Sequence, residues 1–112
     1  MAGIGAAPQI GADAAAKHAV VGLTKTAAIE NGQYNIRVNA VCPFFTYTPM
    51  LLSVSKNKGE SDALFTKLAQ TCPMKRLGRP EEVVHVMVML CSPLNTYMNG
   101  QTIAIDGGMS AS

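Results

Sequence analysis

Only two stretches of this 112-residue chain have the composition of strands, and helical runs lie before and between them. The first, Ile36 to Val41, is rich in β-branched residues and bounded by Asn35 and Pro43; the second is Thr102 to Ile105. Neither shows a clean polar face, which is the pattern of strands covered on both sides. Helix, strand, helix, helix, strand in that order predicts an α/β fold with a parallel pair joined by a right-handed helical crossover. Two parallel strands are too few to stand alone, so the same pattern calls for neighbours that the chain does not itself contain.

The helical runs are read from period and punctuation. From Ala12 to Asn31 alanines, Val20 and Leu23 recur at three- and four-residue steps, giving an amphipathic helix with a small-residue face. Asn31-Gly32 ends it, with Gly32 expected as the left-handed cap. Residues 1 to 11 read as a loop, as does Pro43 to Leu52. Ser61 is expected to cap a short helix from Asp62 to Gln70, and Cys72 to Arg79 is a connector. Arg79-Pro80-Glu81-Glu82 starts a helix that runs to Cys91, with Pro in the first turn and two acids against the positive end of the dipole. That helix is apolar nearly all round, so it is expected to be buried. Asp106-Gly107-Gly108 is a turn. With no internal repeat and no linker, residues 1–112 read as a single domain.

Composition narrows the function. Apolar residues make up 48% and charged residues only 14%, which favours burial of apolar surface in a homo-oligomer, a dimer or tetramer. A net charge of +2 without a basic cluster gives no case for nucleic acid or a membrane surface. Cys42, Cys72 and Cys91 are widely spaced and read as free thiols of a reducing compartment, so the expected location is cytoplasmic. No C-x-x-C pair occurs, and His18 and His85 stand far from any paired ligand, so no metal site is expected. The apolar start, Met1 to Pro8, lacks a basic region and reads as a truncated start or a loop rather than a signal. Ser53, Ser55 and Ser61 lack the context of a nucleophile elbow.

Several segments in order carry a resemblance. They are Lys17-His18-Ala19-Val20-Val21-Gly22-Leu23-Thr24-Lys25, Asn35 to Pro43, Thr48-Pro49-Met50, Arg76 to Glu82, and Asn99-Gly100-Gln101 to Gly108. Together they resemble the C-terminal half of a short-chain dehydrogenase/reductase, nearest to members like 3-oxoacyl-carrier-protein reductase, from about Gly3 to Met109. The resemblance implies the C-terminal part of a doubly wound, Rossmann-like parallel sheet, completed by oligomerisation. It implies contacts between copies through the Ala-rich face of the first helix and the strand 102–105. It also implies proton transfer coupled to hydride transfer between NAD or NADP and a carbonyl. In the family a Tyr donates the proton, a Lys lowers the pKa of that Tyr and bonds the nicotinamide ribose, and a Ser holds the carbonyl oxygen. Lys17 matches the Lys. Lys17, Pro43 and Thr48 match cofactor-binding positions, Thr48 being the Thr that contacts the carboxamide. The substrate loop corresponds to about Leu51 to Lys75.

Four departures bear on that chemistry. Asp13 stands at the Tyr position, four residues before Lys17, where a carboxylate is expected to pair with Lys17 and stay ionised rather than offer a proton. The Ser position falls before Met1. The glycine-rich turn that carries the pyrophosphate belongs to the N-terminal half; Gly3-Ile4-Gly5 follows no strand and does not replace it. Phe44 stands where the family has Gly after Pro43, and is expected to crowd the nicotinamide. Three functions follow as expectations. One is a short-chain dehydrogenase/reductase homologue without reductase activity as an isolated chain. A second is an oxidoreductase acting with a missing or partner nucleotide-binding half. A third is a non-redox enzyme, such as a hydrolase, using Asp13 or a loop Ser.

Overall fold

Two short strands, β1 (Ala40–Pro43) and β2 (Thr102–Ile105), pair in parallel with Ala40 opposite Thr102 and Pro43 opposite Ile105. In this computed structural model residues 11–49, 53 and 58–111 are described. Readings that fall on residues 1–10, 50–52 and 54–57 lie outside the described residues. Among the described residues the α-helices beside the pair are α1 (Gly11–Asn31), α2 (Lys58–Thr71) and α3 (Pro80–Cys91). Short 3-10 turns at Gly32–Tyr34 and Met109–Ala111 follow α1 and β2.

The first strand lies four residues later than its sequence suggests. Gly100 adopts φ +70, which keeps the chain before Thr102 out of the ladder. Residues 36–39 are held by side chains as well as backbone: Val38 N donates to Asn99 Oδ1 at 2.8 Å, Gln101 N donates to Asn39 Oδ1 at 2.9 Å, and Gly100 N donates to Val38 O at 2.8 Å. At the far end the strand includes Pro43. The neighbouring Phe44 N donates to Ile105 O at 3.0 Å, so Phe44 faces β2 and the donor-less nitrogen of Pro43 faces the open edge, where Pro is tolerated.

Asn99 is the joint of the molecule. Its Nδ2 donates to Ala28 O in α1 at 3.0 Å while its Oδ1 accepts from Val38 N, so one side chain ties the last turns of α1 to the approach of β1. Arg37 adds a second tie, donating to Leu90 O in the last turn of α3 at 2.8 Å and to Met98 O at 3.2 Å. A cation there also meets the negative end of the helix dipole.

Three further expectations are corrected. Gly32 does not take the left-handed conformation; the chain turns once more as a 3-10 helix and Asn35 does so, at φ 58. Ser61 is not a cap: α2 starts at Lys58 and carries Ser61 inward with Phe65 one turn on, both buried on one face. Finally, α3 has the residues expected of it but is not buried. Leu90 is its one buried side chain, while Val84, Met87, Val88 and Met89 stay exposed. The buried apolar set is correspondingly small: Ala28, Cys42, Phe65, Cys72 and Leu90.

Candidate functional site

The carboxyl ends of parallel strands are where open α/β sheets place ligands. Here β1 runs out through Pro43 into a loop that is pinned from two sides. Thr46 Oγ1 donates to Phe44 O at 2.9 Å. Gly78 N donates to Phe45 O at 3.1 Å and Tyr47 N to Gly78 O at 2.9 Å, making an isolated parallel bridge between Thr46 and Gly78. Thr48, half-buried, follows directly. The ring of Phe44 meets that of Phe45 edge-on at 4.7 Å.

The last turns of α1 are tied through Asn99 to the approach of β1, so α1 runs back from there with Asp13 and Lys17 at its far end. Both side chains are exposed in the first turns of α1. The expected ion pair does not form: the ion pairs among the described residues are those of Glu82 with Arg76 and Arg79. A solvated pair of this kind gains little over separate hydration, and the helix N-terminus already favours the carboxylate of Asp13. Lys17 lies eleven residues before Ala28, or about 16 Å along the helix from the Asn99 joint. Neighbouring His18 turns back on its own helix, Nδ1 lying 2.8 Å from Ala14 O. The structure thus places Asp13 and Lys17 on one helix face, Pro43 at the end of β1 and Thr48 on the loop that follows it.

Neither of two clefts among the described residues is lined by Asp13, Lys17, Pro43 or Thr48. The first, about 120 Å³, lies beyond the carboxyl ends of both strands between the Phe44–Thr46 loop and the start of α3. Arg76 closes one side with a two-pronged ion pair to Glu82, at 2.8 and 2.7 Å. Those hydrogen bonds, with one from Arg79 N at 2.8 Å, hold the Glu82 carboxyl down at about 2. The same pairing raises Arg76 above its usual value. Asp106, at the end of β2, is buried. Burial opposes its charge, but bonds from the Ser110 hydroxyl and the amides of Gly108 and Ser110 outweigh that and lower its pKa. Sequence reasoning missed this ring of polar contacts, although a Glu three residues after Arg79 is a recognisable cap pattern. The second cleft, about 710 Å³ and open, lies at the opposite end beside Asn35, Arg37 and Tyr97.

A dinucleotide needs a helix N-terminus free to face its pyrophosphate. The N-terminus of α3 is taken by the carboxylate of Glu82 and flanked by Glu81. β2 leads through Asp106-Gly107-Gly108 only into the three-residue 3-10 turn Met109–Ala111, and β1 leads into the Phe44–Thr46 loop. The described residues therefore do not offer a site for the whole of NAD or NADP. Among them no group of three His, Cys, Asp or Glu side chains could hold a metal, and no helix is long and apolar enough to cross a membrane. Ser61 is buried within α2, and Ser53 is exposed.

Comparison with known proteins gives a consistent picture. A family model described as enoyl-(acyl carrier protein) reductase matches residues 1–110. The short-chain dehydrogenase virB of Hypocrea virens is 40% identical over 103 residues, which is 92% of this chain and 40% of that protein. A short chain dehydrogenase family protein from Francisella tularensis superposes with a TM-score of 0.91 at 29% identity, covering 99% of this chain and 48% of that one. ElxO, solved with NADP bound, superposes with a TM-score of 0.87 at 30% identity, covering 99% and 44%. The chain spans about 40% of the length of the curated relatives it matches.

Proposed function

Since the chain belongs to the short-chain dehydrogenase/reductase family, we propose that these 112 residues are a homologue of its oxidoreductases that keeps the C-terminal scaffold and does not by itself reduce carbonyls. The observation that carries this reading is Asp13. It occupies the position of the proton-donating Tyr, one turn before Lys17, and it is exposed. A phenol poised beside a lysine can hand a proton to a developing alkoxide; a solvated carboxylate cannot take that part. The test is oxidation of NADPH and NADH by the purified chain with a panel of small ketones and aldehydes. No turnover is expected, and none from Asp13→Tyr while the nucleotide-binding half is absent. Carbonyl-dependent oxidation by the unaltered chain would overturn the reading.

A second reading is supported by a different observation. β1 and β2 form a two-stranded sheet, and large apolar side chains stay exposed on both helices beside it. They are Val20, Leu23 and Ile29 on α1, and Val84, Met87, Val88 and Met89 on α3. In this reading a nucleotide-binding half, from further chain or from a partner, completes the sheet and binds NAD or NADP, with Lys17 and Thr48 as its contacts here. Self-association into a dimer or larger assembly would cover part of the same surface. Three free cysteines suit a reducing, cytoplasmic setting. Sedimentation of the purified chain tests the oligomer: a monomer at all concentrations would contradict it.

A further inference from the structure

The 120 Å³ cleft at the start of α3 has no part in the reading above. Its floor is Ile105 and Cys72, the latter 2% exposed. One wall is the Phe44–Phe45 ring pair, the other Met74 and Val83. An apolar cavity of roughly 150 Å³ takes up benzene, so this space suits one aromatic ring with its edge in solvent. The two cations at the mouth are in different states. Arg76 spends both of its Nη groups on Glu82. Arg79 approaches the same carboxylate only through Nε at 3.9 Å, outside hydrogen-bond range, with its side chain 73% exposed. Of the other lining groups, Asp106 directs both carboxylate oxygens at backbone amides of its own turn. The guanidinium of Arg79, paired with Glu82 only at 3.9 Å and largely exposed, is therefore the charge at the mouth left most open, and its planar fork matches a carboxylate.

We propose that this cleft binds a small aromatic carboxylate, with the ring held between Phe44–Phe45 and Met74–Val83 and the carboxylate at Arg79. The site needs no nucleotide, so it stands or falls separately from the reductase reading.

The test is a titration of the 112-residue chain followed by amide correlation spectra, with benzoate, its neutral counterpart benzyl alcohol, and acetate as probes. Benzoate is expected to shift the amides of Phe45, Cys72, Met74 and Val83 saturably and at lower concentration than benzyl alcohol, and acetate to leave them in place. Arg79→Gln keeps the backbone amide that bonds Glu82. It is expected to weaken benzoate about fivefold, within the range of an exposed charge pair, and to leave benzyl alcohol unchanged. Val83→Trp, which fills the cleft, is expected to abolish both; should it fail to fold, the Arg79→Gln comparison decides alone. No saturable shift, shifts confined to the far end near Arg37 and Tyr97, acetate acting like benzoate, or Arg79→Gln binding benzoate as before would each overturn the proposal.

Discussion

The two ends of α1 are treated in opposite ways. Its last two turns are engaged: Thr24 and Ala28 are buried, Asn31 Nδ2 donates to Ala27 O at 2.8 Å, and Asn99 reaches across to Ala28 O. In its first two turns the side chains of Asp13 and Lys17 are exposed. Polar bonds between residues 53 to 71 positions apart tie the approaches of the strands to helix ends, whereas among the described residues no such bond is seen for Asp13 or Lys17. A catalytic group works when its rotamer is fixed by its surroundings. The contrast is between the two ends of one helix: among the described residues, the ties of the scaffold lie at its C-terminal end.

Substitutions can break this contrast or sharpen it. The largest effect is expected at Gly107, in the turn that ends the locked region. It sits at φ +61, and a Cβ there would lie 2.5 Å from the buried sulfur of Cys72. Gly107→Ala is expected to lower stability by about 3 kcal/mol, from the left-handed backbone and the overlap together. In chemical denaturation, adding Cys72→Ala should recover part of that loss; independent, additive losses would show that the overlap is not the cause. Next comes Asn99→Ala, which strips Val38 N and Ala28 O of their partner and should cost about 2 kcal/mol. Asn99→Asp, which retains only the acceptor, should fall between Asn99→Ala and the unaltered chain.

A smaller, pH-dependent effect belongs to Glu82. Its folded pKa is depressed to about 2 from an ordinary 4.5, so its contribution is complete above about 4.5 and is lost as pH falls towards 2. Asp106 acts in the same direction. Melting temperatures measured across that window should fall less steeply for Glu82→Gln than for the unaltered chain. The smallest effect is expected at the other end of α1. Asp13→Ala and Lys17→Ala should each change stability by less than about 0.5 kcal/mol, and a loss near that of Asn99→Ala would erase the contrast.

What could be read from the sequence divides along the same line. The limits of α3 and β2, and those of α1 to within a residue, follow from local signals such as Pro80 with its acids and the period of the Ala-rich run. The ladder of β1 does not, because its start is set by the conformation of Gly100, about sixty residues away. The Asn39, Asn99 and Arg37 ties were hidden for the same reason, although an Asn and an Arg inside a β-branched run are polar groups that require partners. The open flanks of α3 were misjudged because an all-round apolar helix announces that something covers it, and the sequence does not say what. The catalytic positions came from family resemblance. Charge and spacing alone suggested an Asp13–Lys17 pair that solvent keeps apart.

The most direct test is calorimetry of NADPH and NADH against the purified 112-residue chain, run on the unaltered protein and on Lys17→Ala. If scaffold and chemistry are separate, no heat of binding is expected from either. Micromolar binding that Lys17→Ala abolishes would contradict the separation, because it would show that these residues hold a dinucleotide through the family's own contact.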